Sequence, residues 1–121
     1  MKLVGSKAEK EFSEELIKSN KLLQDPRSLL RKVLENEGIN TLNAYVLHYI
    51  YEQFEDLYVV LIDGEYLVEV EIDRVDSAVL PIVERRELKT YLHQLSRVNQ
   101  IRLAVAQELV RERMTKGLAE Q

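Results

Sequence analysis

Residues 57–73 read LYVVLIDGEYLVEVEID, two β-rich runs broken by Asp63-Gly64. That pair constrains the fold more than any other feature of the chain. Both central residues of a type I′ turn need positive φ, and Asp-Gly between such runs is a strong hairpin signal. Two antiparallel strands are therefore expected, over 57–62 and 65–73. Upstream, NAYVLHYIYE is rich in aromatic and β-branched residues and predicts another strand over about 43–52, joined by the loop QFED. Three consecutive antiparallel strands make a meander.

The turn also sets an expected register. A two-residue loop at 63–64 pairs Ile62 with Glu65 and Leu61 with Tyr66. Leu57, Val59 and Leu61 then share an apolar core face with Tyr66, Val68 and Val70. The other face carries Tyr58, Val60 and Ile62 beside Glu65, Leu67, Glu69 and Glu71. A four-residue QFED loop pairs Glu52 with Leu57. It adds Tyr45, Leu47, Tyr49 and Tyr51 to this second face and sends Val46, His48 and Ile50 to the core. A one-residue bulge would swap the faces of this first strand.

Helical periodicity brackets the meander. Ala8, Phe12, Leu16 and Leu23 fall near one face of a helix over 7–23, with Ser6 and Glu9 spaced as a capping box. In QDPRSLLRKVLENEG, Asp25 is the expected N-cap and Pro26 the first helical residue. Leu29, Leu30, Val33 and Leu34 form the apolar stripe, and Gly38 the stop. RVDSAVLPIV fits either a short edge strand or a helical turn, since Pro81 excludes a central strand. From Glu84 to Met114 the pattern is helical, with Leu88, Tyr91, Leu92, Leu95, Val98, Val105, Ala106, Leu109 and Val110 on a broad stripe. One helix over 88–114 would be about 40 Å long. A compact domain of this size is only roughly 35 Å across. That helix must overhang, break, or pack on a second copy.

The expectation is an α+β protein. An antiparallel three- or four-stranded meander packs with two N-terminal helices and one long C-terminal helix. The 121 residues are read as a single domain. Its parts are a helical region over 1–40, the meander over 43–73, a helix over 84–114 and a frayed tail over 115–121.

Composition narrows the chemistry. The chain has no cysteine, which removes disulfides, thiolate metal sites and cysteine nucleophiles. No apolar run approaches the roughly 18 residues of a membrane span, and MKLVGSKAEKEF lacks an apolar stretch of signal-peptide length. A cytoplasmic location is expected. The net charge of −4 is unevenly spread. Residues 52–76 hold nine acidic side chains and one basic, Arg74, whereas residues 77–121 hold eight basic and five acidic. That asymmetry bears on partners.

Three readings compete for the carboxylates of residues 65–73. They can be a solvated strand face, a metal site, or a surface for a basic partner. Carboxylates two apart on a strand project in parallel, nearly 7 Å apart at about 3.4 Å per residue, and converge poorly on an ion. His48 and His93 lie on different elements, and neither has a second histidine three or four residues away. His48 reads as a core histidine and His93 as a surface one. No GxSxG, HExxH, P-loop or GxGxxG motif is present. The basic side chains of 85–116 spread around their helix, interleaved with Glu84, Glu87, Glu108 and Glu112. This argues for solvated ion pairs and against a nucleic-acid stripe.

The resulting expectation is a protein-interaction domain without catalytic activity. It would bind a protein partner, a basic one in the concrete form of an acidic inhibitor or immunity-type protein. Its surface would be the Tyr/Glu face: Tyr45, Tyr49, Tyr51, Tyr58, Glu65, Leu67, Glu69 and Glu71. One alternative is a homodimer assembled through the C-terminal helix at Val98, Arg102, Val105 and Leu109. A lesser one is a carboxylate-based metal-dependent enzyme using Glu69, Glu71 or Asp73 with His48. No catalytic, cofactor-binding or metal-ligating residue is assigned, and no membrane partner is expected.

Overall fold

The computed structural model describes residues 7–119. The fold is α+β. Helices α1 (Lys7–Leu23) and α2 (Leu29–Asn36) precede strands β1 (Ala44–Tyr51), β2 (Glu55–Ile62), β3 (Tyr66–Asp73) and β4 (Ile82–Glu87). A short α3 (Leu88–Leu92) and a long α4 (Arg97–Ala119) follow. The four strands form one antiparallel meander in chain order.

The β2–β3 turn carries the positive φ values that Asp-Gly predicts, 54° at Asp63 and 71° at Gly64. The register differs from expectation by one residue. Glu65 N–H closes the turn on Ile62 O at 3.0 Å, and the ladder starts at Ile62 with Tyr66 rather than with Glu65. The loop thus holds three residues, and every β3 side chain changes face. The gain is apolar pairing on both faces: Ile62 with Tyr66, Leu61 with Leu67, Val60 with Val68.

Helices cover both faces at this end of the sheet, and on one face the buried row runs on to Ile72 near the far end. On one face Val60, Ile62, Val68, Val70 and Ile72 pack with Leu30, Val33 and Leu34 of α2 and with Leu23. On the other, Leu61 and Leu67 pack with Leu16 of α1 and Leu103, Val105, Ala106 and Val110 of α4. These are called the α2 face and the α4 face below. The expected apolar core face with a mixed tyrosine, aliphatic and carboxylate reverse is replaced, near the turn, by a sheet buried on two sides.

β1 contains a bulge between Val46 and His48. It puts Tyr45 and Leu47 in the α4-face core and leaves Val46 on the α2 face. Beyond the bulge, His48 and Ile50 pair with Val59 and Leu57 on the α4 face, while Tyr49 and Tyr51 pair with Tyr58 and Asp56. The expected pairing of Glu52 with Leu57 is replaced by Tyr51 with Asp56, a shift of two that preserves the faces of Tyr49 and Tyr51.

The outer edge of β1 is closed by side chains. Val46 N–H donates to Ser19 Oγ at 3.0 Å, and Asn20 Nδ2 donates to Ala44 O at 2.9 Å. Arg102 Nη1 donates to Leu47 O at 3.0 Å. Edge groups so satisfied cannot template another strand.

Two helix boundaries are corrected. The N-cap of α2 is Ser28, whose Oγ accepts the Arg31 N–H, and not Asp25. The Asp25 carboxylate instead accepts the Arg27 N–H and guanidinium, ordering the turn before the helix. At the other end Gly38, at φ 75°, lets Ile39 N–H reach Leu34 O, a glycine stop of the expected kind. The continuous helix over 84–114 is broken. Ile82–Glu87 is an edge strand beginning right after Pro81, and Val83 extends the α2-face row through Val70. A turn at 93–96 then separates α3 from α4, and Ser96 Oγ accepts the Asn99 N–H at the new helix start. α4 continues to Ala119, where a frayed tail was expected from 115. The Ser6 cap and residues 120–121 lie outside the described residues. Among the described residues, no helix is long and apolar enough to cross a membrane.

Candidate binding surface

Away from the β2–β3 turn the sheet emerges from its helices. This open end comprises the last residues of β1 and β3, the first of β2 and β4, and the loops joining them. Tyr49, Ile50, Tyr51 and Phe54 are exposed there, from β1 and the β1–β2 loop. Val75, Val79, Leu80 and Ile82 join them from the β3–β4 connection, with Leu80 83% exposed and Val75 71%. The two loops are tied by Arg74 N–H donating to Phe54 O at 2.9 Å.

Tyrosines and one ion pair order the α2 face here. The rings of Tyr49 and Tyr58 stack with centroids 4.9 Å apart and planes within 8°. Tyr49 Oη donates to Asp56 Oδ1 at 2.8 Å, and Arg74 Nε lies 3.1 Å from the same oxygen. The Arg74 guanidinium carbon sits 3.6 Å from the centre of the Tyr51 ring, a cation–π contact. The hydrogen bond to Asp56 raises the Tyr49 pKa to about 12. Burial, with Asp56 second, also raises that of Tyr58. The stacked pair forms one wall of an apolar groove of about 580 Å³, whose other walls include Leu22, Leu23, Leu29 and Val46.

The α4 face of the open end is acidic. Glu69, Glu71 and Asp73 of β3 lie there with Glu55 of β2 and Glu84 of β4. The Glu71 carboxyl beside it, followed by desolvation and the charges of Glu71 and Asp73, raises the Glu55 pKa. Backbone hydrogen bonds from Asp76 and Val75 lower that of Asp73. Among the described residues, no group of three or more histidine, aspartate or glutamate side chains is placed to hold a metal ion. His48, half-buried, has its pKa lowered by burial first and by Arg102 second.

The residues expected on one Tyr/Glu face are therefore divided. Tyr49, Tyr51 and Tyr58 come together on the α2 face. Glu69 and Glu71 lie on the α4 face, Glu65 is in the turn, and Tyr45 and Leu67 are buried at 4% and 0% exposure. The one-residue change of register and the β1 bulge account for all of it.

The α4 residues are also placed. Val105 is buried and Leu109 packs against the same core, so this stripe is used within the chain. Arg102 spans the Phe12 ring, Leu47 O and Glu15, and Val98 is exposed. Sequence reasoning missed Phe54, Val75, Val79, Leu80 and Ile82. Their signal was present as large apolar residues inside stretches without periodicity. Comparison with protein-family models, with curated proteins and with solved structures finds no match to this chain in any of the three.

Proposed function

We propose that this chain is a non-catalytic protein-interaction domain whose working surface is the open end of the sheet. The supporting observation is the concentration of exposed apolar side chains from two tied loops and two strand ends, while the opposite end is buried on both faces. Exposed apolar area of this kind, rimmed by polar groups, is what protein partners cover. Tyrosine suits such a surface because its ring buries area and its hydroxyl stays paired.

The rim favours a basic partner. Glu52, Glu55, Asp56, Asp73 and Asp76 surround the apolar end, with Arg74 alone among them. Such a rim steers an oppositely charged surface and repels another copy of itself. An inhibitor-type protein that covers a basic cleft is the concrete form of this reading. A homodimer through Val105 and Leu109 would have to draw on side chains already packed in the chain's own core.

The test is capture of a partner by the parent chain and by Tyr51→Ser with Leu80→Ser. Both side chains are exposed, and loss of the Tyr51–Arg74 contact should lower the melting temperature only slightly. A protein held by the parent, lost by this variant and retained by Leu29→Ser in the groove supports the reading. Equal capture by all three chains would refute it.

A further inference from the structure

The α4 face of the open end has an ordered layout. Ile50, Leu57, Glu71 and Ile82 form one row across the four strands. His48, Val59, Glu69 and Glu84 form the row nearer the helices, and Glu55 with Asp73 the outermost. The middle row is apolar except at Glu71, and Ile50 and Ile82 are about half exposed. A cleft of about 170 Å³ crosses β2, β3 and β4 here, with Leu57 and Ile82 in its lining and Glu69, Glu71 and Glu84 around them.

Charge on this face is unbalanced. Among the described residues, Arg86 is the one cation paired with any of the face's five carboxylates, 2.8 Å from Glu84 Oε2 and 3.4 Å from Glu69 Oε2. Among the described residues, Glu55 and Glu71 have no cation within ion-pair distance. The neighbouring Glu71 carboxyl first, then desolvation and the charges of Glu71 and Asp73, keep Glu55 above the usual carboxylate range. A face built this way is short of positive charge and offers apolar area beside it.

We propose that this half of the α4 face docks a basic amphipathic segment of the protein partner, with a Lys or Arg side chain seated in the cleft between Glu69, Glu71 and Glu84. The aliphatic stem lies on Leu57 and Ile82 while the cation reaches the carboxylates, as long basic side chains do when they cover apolar surface. Other occupants fit less well. A second copy presents the same carboxylates and is repelled. An anionic membrane surface is repelled for the same reason. A divalent ion needs converging oxygens, and the β3 carboxylates are two residues apart on a strand.

This inference rests on the interaction reading above, so its test separates the two. The probe is a short end-blocked peptide in which lysine and leucine alternate, titrated into the isotopically labelled chain while backbone amide shifts are followed. The control is the same peptide with serine in place of lysine. The proposal expects the basic peptide to shift residues 55–57, 69–73 and 82–84, with an affinity that falls as salt rises. Replacing Glu69, Glu71 and Glu84 together by Gln should weaken it about tenfold or more, the loss expected for one charge-assisted hydrogen bond. Should that variant melt early, Glu71→Gln alone, which breaks no ion pair, should still weaken binding severalfold. Shifts confined to Tyr49, Tyr51, Phe54 and Leu80, with either peptide, would overturn the cleft and leave the interaction reading standing. No shift with either peptide would overturn both. Unchanged affinity in the Gln variants would overturn the cleft alone.

Discussion

The two ends of the sheet differ in everything except their strands. At the turn end, Val60, Leu61, Ile62, Leu67 and Val68 are all 1% exposed or less, with α2 on one side and α4 on the other. At the open end the same four strands carry tyrosines, isoleucines and carboxylates into solvent. Large apolar side chains are expensive to leave in water, at about 25 cal/mol per Å². A chain that seals one end on both faces and, apart from the buried Val70 and Ile72, leaves the other open has its stability and its recognition surface in different places. That separation is testable by mutation, because it predicts opposite sensitivities at the two ends.

The largest contrast is in truncation. Leu67→Ala removes a side chain with no exposed area and should cost about 2–5 kcal/mol of unfolding free energy. Leu80→Ala, at 83% exposure, should stay within about 0.5 kcal/mol. Urea melts of the two variants measure both. Similar losses at the two positions would mean that the open end is packed in solution and would end the contrast.

A smaller effect probes how tightly α4 seats on the turn. Gly38 and Gly64 have nearly equal positive φ, 75° and 71°. A Cβ at Gly38 meets nothing within 4 Å, whereas at Gly64 it meets Val110 Cγ1 at 3.3 Å. Backbone strain alone should cost Gly38→Ala about 1 kcal/mol. Gly64→Ala adds the crowding against Val110 and should cost more. Equal losses would show that α4 gives way readily there and that the turn end is less firmly covered.

The same elements show how far the sequence could be read. The helix over 7–23, a second helix ending at Gly38, three strands and the positive φ at Asp63-Gly64 all follow from local signals that tertiary packing does not override, although the second helix starts at Leu29 and not at Pro26. The faces did not follow. A type I′ turn is compatible with either pairing of Ile62, and only packing on both sides of the sheet favours Tyr66 over Glu65. The bulge at Leu47 has no local mark, because Tyr45, Leu47 and Tyr49 alternate with Val46, His48 and Ile50 as in a regular strand. β4 was legible only as one of two alternatives, an edge strand or a helical turn, because IVERRE runs into LKTYL without a break and Val83 counts equally as one turn of a helix or one step of a strand. The candidate surface suffered most, since assigning its residues to faces required both registers.

The polar cluster of the open end should report itself at high pH. Tyr49 is held up to about 12 from its usual 10.0, first by its hydrogen bond to Asp56. Between those values the folded chain keeps a proton that the unfolded chain has released, so this tyrosine's contribution to stability falls as pH rises through that window. Ultraviolet titration should show Tyr49 as a late tyrosine, beside Tyr58 and Tyr91, which burial also raises, and Asp56→Asn should return Tyr49 toward 10. An unchanged titration in Asp56→Asn would mean that the Tyr49–Asp56 contact does not persist and that the open end is less ordered than its covered counterpart.

The smallest effect lies at the boundary between the ends. His48 sits on the α4 face just past the bulge, half-buried beside Arg102, which crosses to Leu47 O. Burial first, and the Arg102 charge second, lower its pKa from 6.5. Below 6.5 the unfolded chain takes up this proton before the folded one does. The stability that neutral His48 contributes is therefore complete above that pH and is lost as pH falls through the folded value. Proton magnetic resonance of the imidazole reads the pKa directly. Arg102→Met should move His48 only partway back, because the helix above it still excludes water. A full return to 6.5 would show that Arg102 itself, more than the body of α4, marks where the cover ends.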